Sequence, residues 1–156
     1  MAELMIREAT VNDCAALAWL NQLFNGGDGD VEQMRRQMVA ARGVERPFLA
    51  FLNTQPVGFA CLRLIPMVCD PHPYAELTEL FVLEEAQRQG VGRALLAHVE
   101  AVAQQAGATR MGLMTGLDNR NAQAFYRRLG YSDDGLEMEK MLQNSAGNVK
   151  SDLTLF

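Results

Sequence analysis

At 156 residues and 17.3 kDa, with 49% apolar residues, the chain has the size of one domain and enough apolar side chains to bury a core. A net charge of −5 without any lysine- or arginine-rich tract speaks against nucleic-acid binding and leans toward cationic small molecules as partners. No apolar run reaches the length of a membrane span, the N-terminus lacks a signal peptide's basic start, and Cys14, Cys61 and Cys69 have no metal-type spacing; a cytoplasmic protein with no membrane partner and no metal is expected.

Residues 5–9 alternate as a short first strand, and Thr10 with Asp13 forms a capping-box pattern ahead of a helix that carries Leu17, Leu20 and Phe24 at helical spacing. Three glycines between Asn25 and Asp30 break that helix, and a second one follows from Val31 to about Arg42. Residues 46–52 and 57–65 read as a hairpin around Asn53 to Pro56. Pro71 and Pro73 make residues 69–73 a rigid loop. The next strand, 76–83, runs into a glycine-rich turn, and a helix follows from Val91 to about Ala106, stopped by Gly107. Residues 109–115 predict another strand, 119–130 a short helix, and 136–142 a last strand. Hairpin-linked strands mixed with crossovers imply an α/β chain with a mixed sheet and helices on both faces.

The glycine turn carries the chemistry. Gln87-Arg88-Gln89-Gly90-Val91-Gly92-Arg93 joins a buried strand to a helix N-terminus, where unpaired N–H groups and the positive dipole end make an anion site. It is no P-loop, since no Lys-Ser or Lys-Thr follows either glycine, and Leu95 stands where a dinucleotide fingerprint needs a third small residue. The turn resembles the Gln/Arg-x-x-Gly-x-Gly/Ala loop of the GNAT superfamily of acetyl-coenzyme A-dependent N-acetyltransferases. Asn119-x-Asn121-Ala122-x-x-Phe125-Tyr126-x-x-Leu129-Gly130-Tyr131 resembles that superfamily's second signature, one helix and one strand further on. The resemblance covers about residues 4–142 and implies a single-domain GNAT-like fold, with a mostly antiparallel sheet and residues 143–156 as an extension.

The resemblance further implies acetyl transfer from acetyl-coenzyme A, as co-substrate, to a primary amine of a small molecule or peptide, by direct attack in a ternary complex. Such a reaction needs a pyrophosphate cradle, a neutral amine, oxyanion stabilisation and a proton for the leaving thiolate. The backbone at Arg88, Gln89, Gly90, Val91, Gly92 and Arg93, with Gln87, would form the cradle. The backbone of Leu80, Phe81 and Val82 would pair with the pantetheine arm as an added strand. Asn121 would contact the coenzyme unless it caps its helix, and Tyr126 would be the general acid unless it is only a core aromatic. The base is open between Glu76 and Glu79: a regular strand points them to opposite faces, Glu76 matches the glutamate of the histone-acetylating branch, and Glu79 would reach the site only through a bulge.

The acceptor is open too. Asp28, Asp30 and Asp70, in loops that wall the acceptor site in this superfamily, would attract a cationic amine, or they are solvated turn formers; Arg63 would instead bind an acceptor carboxylate. A non-catalytic acyl-coenzyme A sensor is the alternative to an enzyme. Cys61 and Cys69 lack a motif-placed base and read as packing residues rather than nucleophiles. The last residues, Leu153 to Phe156, would complete the sheet or make a homodimer edge.

Overall fold

The computed structural model describes residues 3–142. The chain divides into two compact units, with the boundary between Met114 and Thr115. The first is built on a five-stranded sheet in the order β1 (Leu4–Glu8), β2 (Glu45–Leu52), β3 (Gln55–Ile65), β4 (Tyr74–Val82) and β5 (Met111–Leu113). β1 to β4 pair antiparallel, and β5 joins β4 in parallel. The expected mixed, mostly antiparallel α/β fold is therefore the observed one.

The helices of this unit are α1 (Cys14–Asn25), α2 (Val31–Ala40) and α3 (Val91–Gln105). The register shows which face each covers. Phe48 of β2 pairs with Ala60, whereas its neighbour Leu49 pairs with Phe59, so Phe48 and Phe59 lie on opposite faces. Phe59 meets Phe24 of α1, and Phe48 meets His98 of α3. Helices thus pack on both faces. The core between the layers holds Phe48, Leu20, Leu49, Leu62, Leu95, Leu96, Val91 and Val99, each less than 2% exposed. His98 takes part in this packing through the Phe48 ring.

Local chemistry sets the element ends. Thr10 and Asp13 form the expected capping box on the turn Val11–Asp13 that leads into α1. Arg7 of β1 donates to both Asp13 oxygens at 2.7 and 2.9 Å, which ties the first strand to the start of the first helix. Asp30 caps α2 by accepting from the Glu32 and Gln33 N–H groups.

In the second unit α4 (Arg120–Arg128) stands among turns. The strand expected over residues 136–142 is not there; those residues carry no regular structure. Their alternation is apolar against charged, but Leu136 and Met138 are both 86% exposed, and among the described residues no ladder partner takes up the backbone groups. The strand expected over 109–115 shortens to β5. The expected extension, 143–156, with its sheet-completing or dimer-forming end, lies outside the described residues.

Asp13 serves the cap and the ion pair at once, and the Arg7 hydrogen bonds hold its carboxyl well below the usual carboxylate range. A lowered folded-state value means that the contribution is present above the unfolded value of about 3.9 and is lost as pH falls through the folded one. Asp13→Asn is expected to cost about 1–2 kcal/mol at neutral pH, Arg7 being partly solvated. In urea melts, the gap between wild type and variant should shrink steadily below about pH 4.

Candidate active site

β4 delivers the chain to the cradle. After Val82 come buried Leu83 and the short turn Glu84–Ala86, whose Ala86 is also buried. Arg88 (φ 59°) and Gly90 (φ 84°) then both adopt the left-handed conformation and swing the chain into α3, whose first residue, Val91, plugs into the core. A left-handed arginine is uncommon and costs about 1–2 kcal/mol, a strain often found at ligand loops. Gln87 Nε2 donates to the Val82 carbonyl at 3.0 Å, and Gln89 Nε2 to the Glu85 carbonyl at 2.7 Å. The two glutamine side chains thus brace the loop from within and leave its backbone for a ligand.

α3 starts at Gly90 without a side-chain cap, and its first intrahelical bond runs from Ala94 N–H to the Gly90 carbonyl. The N–H groups of Val91, Gly92 and Arg93 lie ahead of that bond, as the leading amides of any helix do. A Cβ placed on Gly90 would meet no atom within 4 Å, so the space above the turn is open. The leading amides and the positive helix end suit an anionic group such as a phosphate. Along β4, only Ala75, Glu76 and Leu77 pair with β5, whereas pairing with β3 continues to Val82. The edge at Leu80, Phe81 and Val82 therefore runs past the last β5 pair, as an added extended ligand requires. Beside it opens a cleft of about 430 Å³ lined by Leu23, Phe81, Leu83, Glu84, Glu85 and Gln87.

The two strand glutamates correct the expectation of opposite faces. Glu76 pairs with Arg63 and Glu79 with Cys61, two residues away on β3, while Leu62 pairs with Leu77. Thr78 is the extra residue of a β-bulge, and the bulge returns Glu79 to the same face as Glu76. This is the face that α1 covers: Phe24 stacks on Phe81 at 5.1 Å, and Asn25 Nδ2 reaches Glu79 Oε2 at 3.5 Å. Nothing in the spacing of a Thr-Glu strand announces a bulge.

Arg63 lies on this face as well, but between two carboxylates of the protein, 3.1 Å from Glu76 and 3.5 Å from Glu45. Thr78 Oγ1 donates to the same Glu45 oxygen at 2.5 Å. Glu45 and Thr78 were not singled out in the sequence, where neither belongs to a motif. Burial first, then the Glu45 and Glu79 carboxylates, push the Cys61 thiol far up, so it stays protonated and is no nucleophile at neutral pH. Asp28 accepts from the Asp30 N–H at 3.1 Å, Asp30 caps α2, and Asp70 accepts from the His72 N–H at 2.8 Å. Each of these three aspartates has a turn- or cap-forming task. Cys69 and His72 are exposed.

In the second unit Asn119, not Asn121, caps α4, accepting from the Ala122 N–H at 3.1 Å. Asn121 lies exposed in the helix's first turn, without the capping task. Tyr126 packs edge-on against Phe125 at 5.2 Å and Tyr131 at 5.7 Å. Burial pushes its hydroxyl up to about 12, so the proton is retained at neutral pH.

Among the described residues, β4 runs through a left-handed turn onto an uncapped helix start, next to a strand edge that β5 leaves unpaired, a layout that suits an extended phosphate-bearing ligand. Residues 12–131 match the acetyltransferase (GNAT) family, and the chain belongs to that family of acyltransferase enzymes. It is 32% identical over 139 residues to the aminoglycoside N(6')-acetyltransferase type 1 of Stenotrophomonas maltophilia, covering 82% of this chain and 86% of that one. With the aminoalkylphosphonate N-acetyltransferase of Salmonella typhimurium it shares 35% identity over 94 residues, 60% of this chain and 61% of that protein, less than two thirds of its length. The fold is close to the structure of the aminoglycoside N-acetyltransferase AAC(6')-Iy in complex with CoA, with a TM-score of 0.78 at 22% identity over 92% of this chain and 97% of that one. Among the described residues no helix is long and apolar enough to cross a membrane, and no group of metal-ligating side chains gathers.

Gly90→Ala tests the cradle. The left-handed conformation should cost about 1–2 kcal/mol in stability, and the new methyl group would stand in the open space above the turn. Coenzyme A affinity, measured by calorimetry, is expected to fall at least roughly tenfold beyond any effect on folding.

Proposed function

We propose that the protein transfers an acetyl group from acetyl-coenzyme A to a primary amine of a small molecule by direct attack within a ternary complex. The observation that carries this reading is the continuity of the open β4 edge with the uncapped start of α3. It supports placing an extended arm and its pyrophosphate in one line. The named activities of the two relatives, on an aminoalkylphosphonate and on an aminoglycoside, support a small-molecule amine as the acceptor. Acetyl-coenzyme A would supply the activated acetyl group as a thioester, and the thiol would leave.

In this reading the backbone amides from Arg88 to Arg93 bind the pyrophosphate, and the Leu80, Phe81 and Val82 backbone aligns the arm. Glu76, anchored by Arg63, holds the incoming ammonium, and Glu79 takes its proton directly or through water. Asn121, released from capping, contacts the coenzyme. Tyr126 carries the proton for the leaving sulfur, a role supported by a hydroxyl that remains protonated across the neutral range.

The direct test is thiol release from acetyl-coenzyme A against a panel of amines. Tyr126→Phe should keep coenzyme binding and lower kcat on the order of 10²-fold; equal turnover would remove Tyr126 from the mechanism. Coenzyme binding with no thiol release on any amine would instead favour a sensing role.

The two glutamates should separate kinetically. Glu79→Gln is expected to lower kcat with little change in the acceptor KM, whereas Glu76→Gln should mainly raise KM. The reverse pattern in initial-rate measurements would exchange their roles.

A further inference from the structure

Arg63 is the residue on the glutamate face to which a carboxylate of the acceptor would be drawn. Its side chain is 40% exposed, so a ligand can reach it. Yet one terminal nitrogen lies 3.1 Å from Glu76 and the other 3.5 Å from Glu45. Glu45 is itself fixed by the Thr78 hydroxyl, and Thr78 is the bulge residue of β4, so the arrangement is built into the sheet. Two carboxylates hold the one guanidinium, and Glu79 lies further along the same face, opposite Cys61. At the start of β4, Arg110 is the cation that lies over the Tyr74 ring, 5.6 Å from its centroid.

We propose that Arg63 is a specificity-determining residue, internally neutralised by Glu45 and Glu76, so that the site rejects amines that carry a carboxylate and takes amines with additional positive charge. The inference rests on the acetyltransferase reading and narrows its acceptor class. An acceptor carboxylate approaching Arg63 also approaches Glu45 and Glu76, which already neutralise it, and these like-charge contacts offset the gain from the guanidinium. A second ammonium on the acceptor meets the opposite balance. The residue that by sequence alone suggests an amino-acid substrate therefore argues against one once its neighbours are known.

The matched pair 1,5-diaminopentane and L-lysine tests this, because the two differ by a single carboxylate. Wild-type kcat/KM should favour the diamine by at least about tenfold. Glu45→Gln, which releases Arg63 from one partner, should narrow that ratio, and Arg63→Gln, which leaves the carboxylates unopposed, should widen it. A purely structural role would shift both amines together, and thermal melts would show it. Equal or better use of lysine by wild type, or a ratio that neither variant moves, overturns the proposal. If thiol is released with neither amine, calorimetry on the coenzyme A-saturated protein decides separately. Tighter binding of the diamine, with the same opposite shifts in the two variants, sustains the specificity role while the transfer reading fails; binding of neither amine overturns it.

Discussion

The functional half of the first unit depends on β4 being paired unequally along its two edges. β3 holds it through Val82, but β5 accompanies it only over Ala75, Glu76 and Leu77. A strand held on one side keeps its direction and still presents unused N–H and C=O groups on the other. The same strand continues through buried Leu83 and Ala86 into a turn with two left-handed residues, and buried Val91 fixes where α3 begins. Open edge and uncapped helix start are thereby part of one continuous run of backbone.

The bulge at Thr78 adds the second constraint. Without it the alternation of the strand would send Glu76 and Glu79 to opposite layers, one of them toward the α3 side with Leu62 and Leu77, where a carboxylate would have to lose its hydration. With it, both stay on the half-exposed face beside Arg63 and Cys61. The extra residue is not idle, because its hydroxyl holds Glu45 against Arg63. One irregularity in the ladder thus collects the charged groups and orders them.

Much of this was legible in the sequence because it rests on local patterns. The Thr10–Asp13 box, the glycine stops and the strand-turn-helix around Gly90 are each determined by residues within one or two turns of chain. Features set by long-range pairing were not legible. The bulge exists only as a mismatch between β3 and β4, and the ion pairs of Arg63 join residues 13 and 18 positions apart. By sequence Asn121 fits a helix cap as well as a coenzyme contact, and only the backbone decides that Asn119 is the cap. The strand read into residues 136–142 failed for the converse reason: alternation was present, but a strand also needs a neighbour.

The resulting face carries an ordered change in character along β4. At its start, Glu76 lies with Arg63 and Glu45; next come Thr78 and Glu79 beside the protonated Cys61; then Phe81 packs with Phe24 and Phe59; and beyond the strand end stands the positive start of α3. From Glu79 to Leu83 an extended strand covers roughly 13 Å. Along the strand and the turn beyond it, an acidic region suited to an ammonium gives way to amides suited to phosphate, with aromatic rings between them. Distance and solvent screening let each charged region act mainly on its own ligand group rather than on the other. In the proposed reading an amine and an anionic coenzyme would be held apart at their charged ends, with half-buried Leu80 as the stretch where their neutral parts would meet.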